Sequence, residues 1–314
     1  MQQKTKRRLF AILPWLITIA VLGAFTLYNA LYKAGYNPFE ARSIKSDLVS
    51  KMRINLLEAN AAEKNAVLAI TDEESEAFAT QARQAANKVE KNRNEIESII
   101  HQDESQRETE LLKEFNICWS QYRKLDETIL NLAVQNTNLK AQKISSTQCA
   151  QEIQNFEESL NRLIQQGNKN NQCNEAVISA HEALTASFKI YALHRPHIEE
   201  ADDKQMDKLE ESIKSYDESA KKALNNLRSM NALRDNPELK NAETAYDRFM
   251  KLTNEVLRLS RMNTNIKSAE LSLGKLRLIS SQCQEILSSL QGTVQAQGNY
   301  SLPRLKKEET NIYP

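Results

Sequence analysis

The chain is poor in residues that interrupt helices, with 6 glycines and 6 prolines among 314 residues. Aromatic residues are scarce, at 6%. No run alternates apolar and polar positions with β-branched residues over the length of a strand, which argues against a sheet. Charge of one sign is missing too: 42 basic residues face 41 acidic ones, for a net charge of +1. Apart from a short N-terminal cluster, there is no basic field of the kind that binds a phosphate backbone, so no nucleic-acid partner is expected. Catalytic signatures are also missing. There is no glycine-rich phosphate loop, no strained nucleophile turn, no Cys-x-x-Cys-His and no Glu-x-x-His pair. His194 and His197 lie three apart, but Pro196 falls between them and predicts the end of a helix. No enzymatic activity, catalytic residue, metal or cofactor is therefore expected.

What remains is a chain filled by Ala, Leu, Glu, Lys, Gln, Asn and Ser, mostly good helix formers. The fold class this predicts is all-α: an N-terminal transmembrane helix followed by two tandem antiparallel four-helix bundles. Lys4, Lys6, Arg7 and Arg8 precede an apolar run of 23 residues from Leu9 to Leu31. That length crosses a bilayer core of roughly 30 Å, and it exceeds the apolar core of a signal peptide. The basic cluster places the N-terminus in the cytoplasm. The expected division is a basic tail at 1–8, an anchor at 9–32, a first bundle at 38–168, a second at 169–297 and a polar tail at 298–314. The bulk of the chain is then periplasmic or extracellular.

Three-and-four spacing of apolar residues marks the helices. The first carries Val49, Met52, Leu56, Ala59, Glu63, Val67 and Ile70, and Thr71 with Glu74 reads as the cap of the next. The third carries Trp119, Tyr122, Leu125, Ile129, Leu132, Asn136 and Leu139, with a tip at Ser145-Ser146-Thr147. In the second half, Arg195-Pro196 ends one helix, Asp235-Asn236-Pro237 opens another, and Gly274 marks a tip. The stretch NTNLKAQKIS from Asn136 recurs as NTNIKSAELS from Asn263, an offset of 127 residues. The same offset matches Trp119 to Tyr246, Tyr122 to Phe249, Ile129 to Val256 and Leu132 to Leu259, so the helical unit is duplicated.

The anchored up-down helices, the stretch AAEKNAVLAITDEE, and W-x-x-Y followed by NTN-x-K resemble the extracytoplasmic four-helix-bundle sensor module of methyl-accepting chemotaxis receptors. The tandem arrangement resembles the helical bimodular sensors of that superfamily. The resemblance covers roughly residues 39–297. It implies binding of a small ligand, commonly an organic anion, and a helix shift that signals inward. No second membrane span, linker module or methyl-accepted coiled coil is found in this sequence. Action through a protein partner or as a homodimer is the corresponding expectation; a structural or accessory subunit of a membrane complex is the alternative.

Asn136 and Asn263 fall on apolar stripes, where a buried amide costs stability unless it is hydrogen-bonded. One reading is control of helix register. The other is a polar layer lining a ligand site, formed by Glu63, Lys64, Gln81, Asn136 and Lys140, with Asn263 and Lys267 at the matching second-repeat positions. The spacing brings Glu63 to the height of Asn136 in an antiparallel bundle, and in the second repeat Ala186 or Phe188 falls at the height of Glu63. Four cysteines occur, Cys118, Cys149, Cys173 and Cys283. Cys118 and Cys173 are equidistant from the expected tip, which predicts a disulfide between them and leaves Cys149 and Cys283 unpaired.

Overall fold

The computed structural model describes residues 21–26, 38–103, 105–167 and 173–296. Its described residues are 93% helical and include no strand. Among the described residues, ten α-helices follow residue 37: α1 Pro38–Leu68, α2 Asp72–Asp103, α3 Gln106–Ala133, α4 Thr137–Ile144, α5 Ala150–Gly167, α6 Cys173–Glu199, α7 Asp203–Ser229, α8 Pro237–Met262, α9 Thr264–Leu271 and α10 Arg277–Ala296. A π-helical turn at Ser145–Cys149 joins α4 to α5, and one at Ser272–Leu276 joins α9 to α10. Both expected tips are therefore continuous helix. The expected anchor at 9–32 lies outside the described residues except for 21–26, which are helical and exposed. Among the described residues no helix is long and apolar enough to cross a membrane.

Local chemistry sets several helix starts. The Glu74 amide donates to Thr71 Oγ1 at 3.1 Å, as the cap pattern predicts. Asp202 caps Lys204 and Gln205, and Asn236 caps Glu238 with Pro237 in the first turn. Pro196 does not end α6, which continues to Glu199. A single proline removes one hydrogen bond, and the burial of His197 and Ile198 holds the last turn in place.

Two compact units form. Of the described residues, one takes those up to Leu57, Ala85–Trp119, and those from Ser281; the other takes Glu58–Gln84 and those within Ser120–Ser280. Both units take residues from either side of position 168. Periodicity tells each helix which face to bury, but not which partner buries it. In the first unit the fourth helix is α10, not α5. Its Cys283, Leu287, Leu290 and Val294 are buried, and so are Val49, Met52 and Leu56 of α1, Val89 and Ile96 of α2, and Phe115 of α3. Gln291 accepts from Arg53 at 2.6 Å and donates to Ser50 at 2.9 Å. A fully buried ion pair, Lys45–Glu108 at 2.7 Å, lies in the same unit.

The same correction applies to the cysteines. Cys118 is bonded to Cys283, with Cα atoms 5.8 Å apart, so neither the Cys118–Cys173 bridge nor a free Cys283 is present. The equal-height argument assumed that α5 returns along α3. In the second unit α5 packs instead with α6 and α8, where Phe156 meets Tyr246 at 5.5 Å. Cys149 is a buried free thiol, and burial pushes it up to about 12.

Candidate functional site

The two NTN stretches meet inside the second unit. Asn136 and Asn263 have φ of 50° and 57°, the only positive values among the described non-glycine residues. Asparagine tolerates this left-handed conformation better than other residues with a side chain, so each Asn stands between one helix (α3, α8) and the start of the next (α4, α9). A new helix leaves its first amides unsatisfied. Here each repeat caps the other. Thr137 N donates to Thr264 Oγ1 and Thr264 N to Thr137 Oγ1, both at 3.2 Å. Asn138 N donates to Asn265 Oδ1 at 3.1 Å, and Asn265 N to Asn138 Oδ1 at 3.3 Å. The side-chain amide of Asn138 donates to Asn263 Oδ1 at 2.7 Å and Ile198 O at 2.9 Å, while that of Asn265 donates to Asn136 Oδ1 at 3.0 Å. The motif is repeated because each copy completes the other.

Asn138→Ala would leave several of these buried groups unpaired. It is expected to cost about 2–3 kcal/mol in urea unfolding, against less than about 0.5 kcal/mol for Lys267→Ala at the surface. Equal effects of the two would disprove the clasp.

The proposed ligand residues do not gather at one point. Asn136 donates to Asp72 at 3.0 Å, and Lys140 pairs with Asp72 at 3.2 Å. Lys140 and Lys267 also donate to Gln135 O and Met262 O, next to each break. Asn263 donates to Glu200 O, and Gln81 and Lys267 are exposed. Glu63 is buried at 1% exposure, and Lys64 beside it is half-buried.

The neighbours of Glu63 are different ones. Tyr122 and Asp126 of α3 and Ser272 of the second π turn stand around it, all at most 2% exposed. Burial raises the Glu63 carboxyl, and Ser272 and Lys64 oppose the rise. Burial and the neighbouring Glu63 charge push Asp126 up to about 7. Glu63 Oε1, both Asp126 oxygens and Ser272 Oγ have no hydrogen-bond partner.

The duplication supplies a comparison. Glu63 lies eight residues before the cap Thr71, and His194 eight before the cap Asp202. His194, not Ala186 or Phe188, is the counterpart of Glu63, because α6 runs past Pro196. With the offset of 127, Asp126 corresponds to Thr253, Ser145 to Ser272 and Tyr122 to Phe249. The second layer is complete. His194 Nδ1 bonds Ser145 Oγ at 3.0 Å and Nε2 bonds Thr253 Oγ1 at 3.1 Å, with Phe249 stacked at 5.9 Å. Burial lowers His194 to about 4, so its ring is neutral near pH 7. One repeat thus fills this layer with a satisfied Ser–His–Thr set, and the other with two acids short of donors.

The sequence profile of a family described as "four helix bundle sensory module for signal transduction" matches residues 4–174, more than half of the chain. The chain belongs to this family. The sensory module has no match among curated proteins. Among solved structures, it is similar to a chain from the "Crystal Structure of the TorS sensor domain - TorT complex in the presence of TMAO". The identity is 11% and the TM-score 0.39, over 81% of this chain and 99% of that one.

Sequence reasoning missed Asp126, Ser272, His194 and Thr253 as members of these layers. The signal was present in the spacing: Trp119, Tyr122, Asp126 and Ile129 are three and four apart and all buried. Leu125, chosen for its apolar chemistry, is only half-buried.

Proposed function

We propose that this sensory module is a membrane-anchored, extracytoplasmic protein that binds a small ligand in the polar layer of its first repeat and acts through a protein partner. The observation that carries the ligand reading is the set of unpartnered buried oxygens on Glu63 and Asp126, at a level where the second repeat has none. A buried polar group without a partner costs free energy, and a bound ligand recovers it. The extracytoplasmic reading draws support from the Cys118–Cys283 disulfide, since such bonds persist in oxidising compartments. The anchor reading rests on the apolar run at 9–32 and the basic residues before it. A partner surface is available on α1, where Ile54 and Leu57, one turn apart, are 56% and 58% exposed.

The exposed apolar residues of α1 also favour a second reading, an accessory subunit of a membrane complex with no small ligand. A thermal-shift screen of the full chain in detergent, against organic amines and acids, separates the two. A ligand present at 100 times its Kd adds about 2.7 kcal/mol, and the gain is expected to vanish in Glu63→Gln. No shift with any compound would leave the accessory reading standing.

A further inference from the structure

The acid layer has a chemistry of its own, and what it is short of can be named. Glu63 comes from α1, Asp126 and Tyr122 from α3, and Ser272 from the π turn before α10. Three carboxyl oxygens, Glu63 Oε1 with Asp126 Oδ1 and Oδ2, await donors. Among the described residues neither acid is in an ion pair. The cations that act on them do so from a distance: Lys64 on Glu63, and Arg123 and Arg83 on Asp126. Arg83 is already committed to Glu127 and Asn131. The layer therefore lacks positive charge, and its acceptors outnumber the one donor that the Ser272 hydroxyl supplies. In the second repeat the same level is closed by the neutral ring of His194, which meets a hydroxyl at each nitrogen.

From these observations, and resting on the reading of this layer as the ligand site, we infer that it binds a small primary ammonium ion. An –NH₃⁺ group carries three donors and one positive charge, and no acceptor. Its three donors match three carboxyl oxygens in number, and its charge offsets one of the two that the acids carry when ionised. Ser272 Oγ is a fourth polar atom, buried and unpartnered, beside Glu63. An organic anion would be repelled by both acids. A divalent metal with hard-ion chemistry seeks about six or more oxygens, and no group of three metal-ligating side chains forms among the described residues. The ion must be small, because all four side chains are at most 2% exposed.

The test uses the full chain in detergent at pH 8 and fixed ionic strength, with methylammonium chloride as the probe. Tetramethylammonium chloride has the same charge and no N–H donor; sodium chloride and sodium acetate complete the set. Methylammonium is expected to raise Tm in a saturable way while the other salts do not. Titration calorimetry is expected to show at least tenfold weaker binding in both Glu63→Gln and Asp126→Asn. Thr253→Val, in the equivalent layer of the other repeat, controls for general loosening of the fold and is expected to bind as wild type. Circular dichroism confirms that each variant is folded. A saturable acetate effect that requires Glu63 and Asp126 would overturn the ammonium assignment and keep the site. A methylammonium effect equal to that of tetramethylammonium would also overturn the assignment. An effect unchanged in both acid variants, or equally lost in Thr253→Val, would overturn the site together with its ligand. So would no effect of any salt on wild type.

Discussion

Replacing Asp126 with asparagine makes the ligand-free chain more stable at pH 8, by about 2 kcal/mol, and gives no advantage at pH 5. The sign follows from linkage. The Asp126 carboxyl stands at about 7 in the folded chain against an ordinary 3.8, so between those values the folded state holds a proton that the unfolded state has released. The stability this contributes is complete below about pH 4 and is lost as pH rises through 7. Above pH 7 the folded chain must carry a buried, partnerless carboxylate. A displacement of this size corresponds to at most about 4 kcal/mol. Asparagine removes the charge but leaves its own amide short of partners, which returns part of the gain. Urea unfolding of wild type and variant at pH 5 and pH 8 checks both the size and the direction. A variant less stable than wild type at pH 8 would show that the carboxylate has a partner in solution.

The second large effect belongs to the disulfide. Cys118 and Cys283 are separated by 165 residues. In the chain-entropy picture, closing a loop of that length stabilises by about 5 kcal/mol, an upper figure because denatured chains keep residual structure. The paired substitution Cys118→Ala with Cys283→Ala is expected to lower stability by about 3–5 kcal/mol. A reducing agent should produce a comparable loss in wild type and none in the variant. If unfolding midpoints are the same with and without reductant, the bridge does not form in the protein. The Cys149 thiol is expected to resist alkylation at pH 8 until the chain unfolds, since burial both covers it and keeps it protonated.

The all-helical class, the capping of α2 by Thr71, the opening of α8 at Asn236-Pro237 and the duplication were legible in the sequence, because each depends on neighbouring residues. The exchange of fourth helices was not. α5 and α10 are both amphipathic, and the period of their apolar residues does not say which of them covers the open face of α1–α3. The spacing placed those asparagines on a helical stripe, whereas they stand in left-handed breaks between helices. A stripe records the face a residue occupies and carries no information about its φ. At the candidate site, Glu63 was found because an acid among apolar residues is conspicuous. Asp126 lay on the same kind of stripe two helices further along the chain, and a neighbouring leucine masked it. Ser272 and His194 depended on continuations of helix, through a π turn and past Pro196, that local rules predict as stops.

The placement of α10 has a consequence for how the protein is made. Synthesis proceeds from the N-terminus at about 5–20 residues per second. The ends of α1, α2 and α3 that wait for Cys283, Leu287, Leu290 and Val294 are complete by Ala133, but their fourth wall ends at Ala296. For an interval on the order of ten seconds, the nascent chain therefore holds three helices with an open apolar face, while α5, the next amphipathic helix to emerge, is a ready but incorrect cover. Capture of α5 by α6–α8 would leave that face free for α10, the last of these helices to emerge.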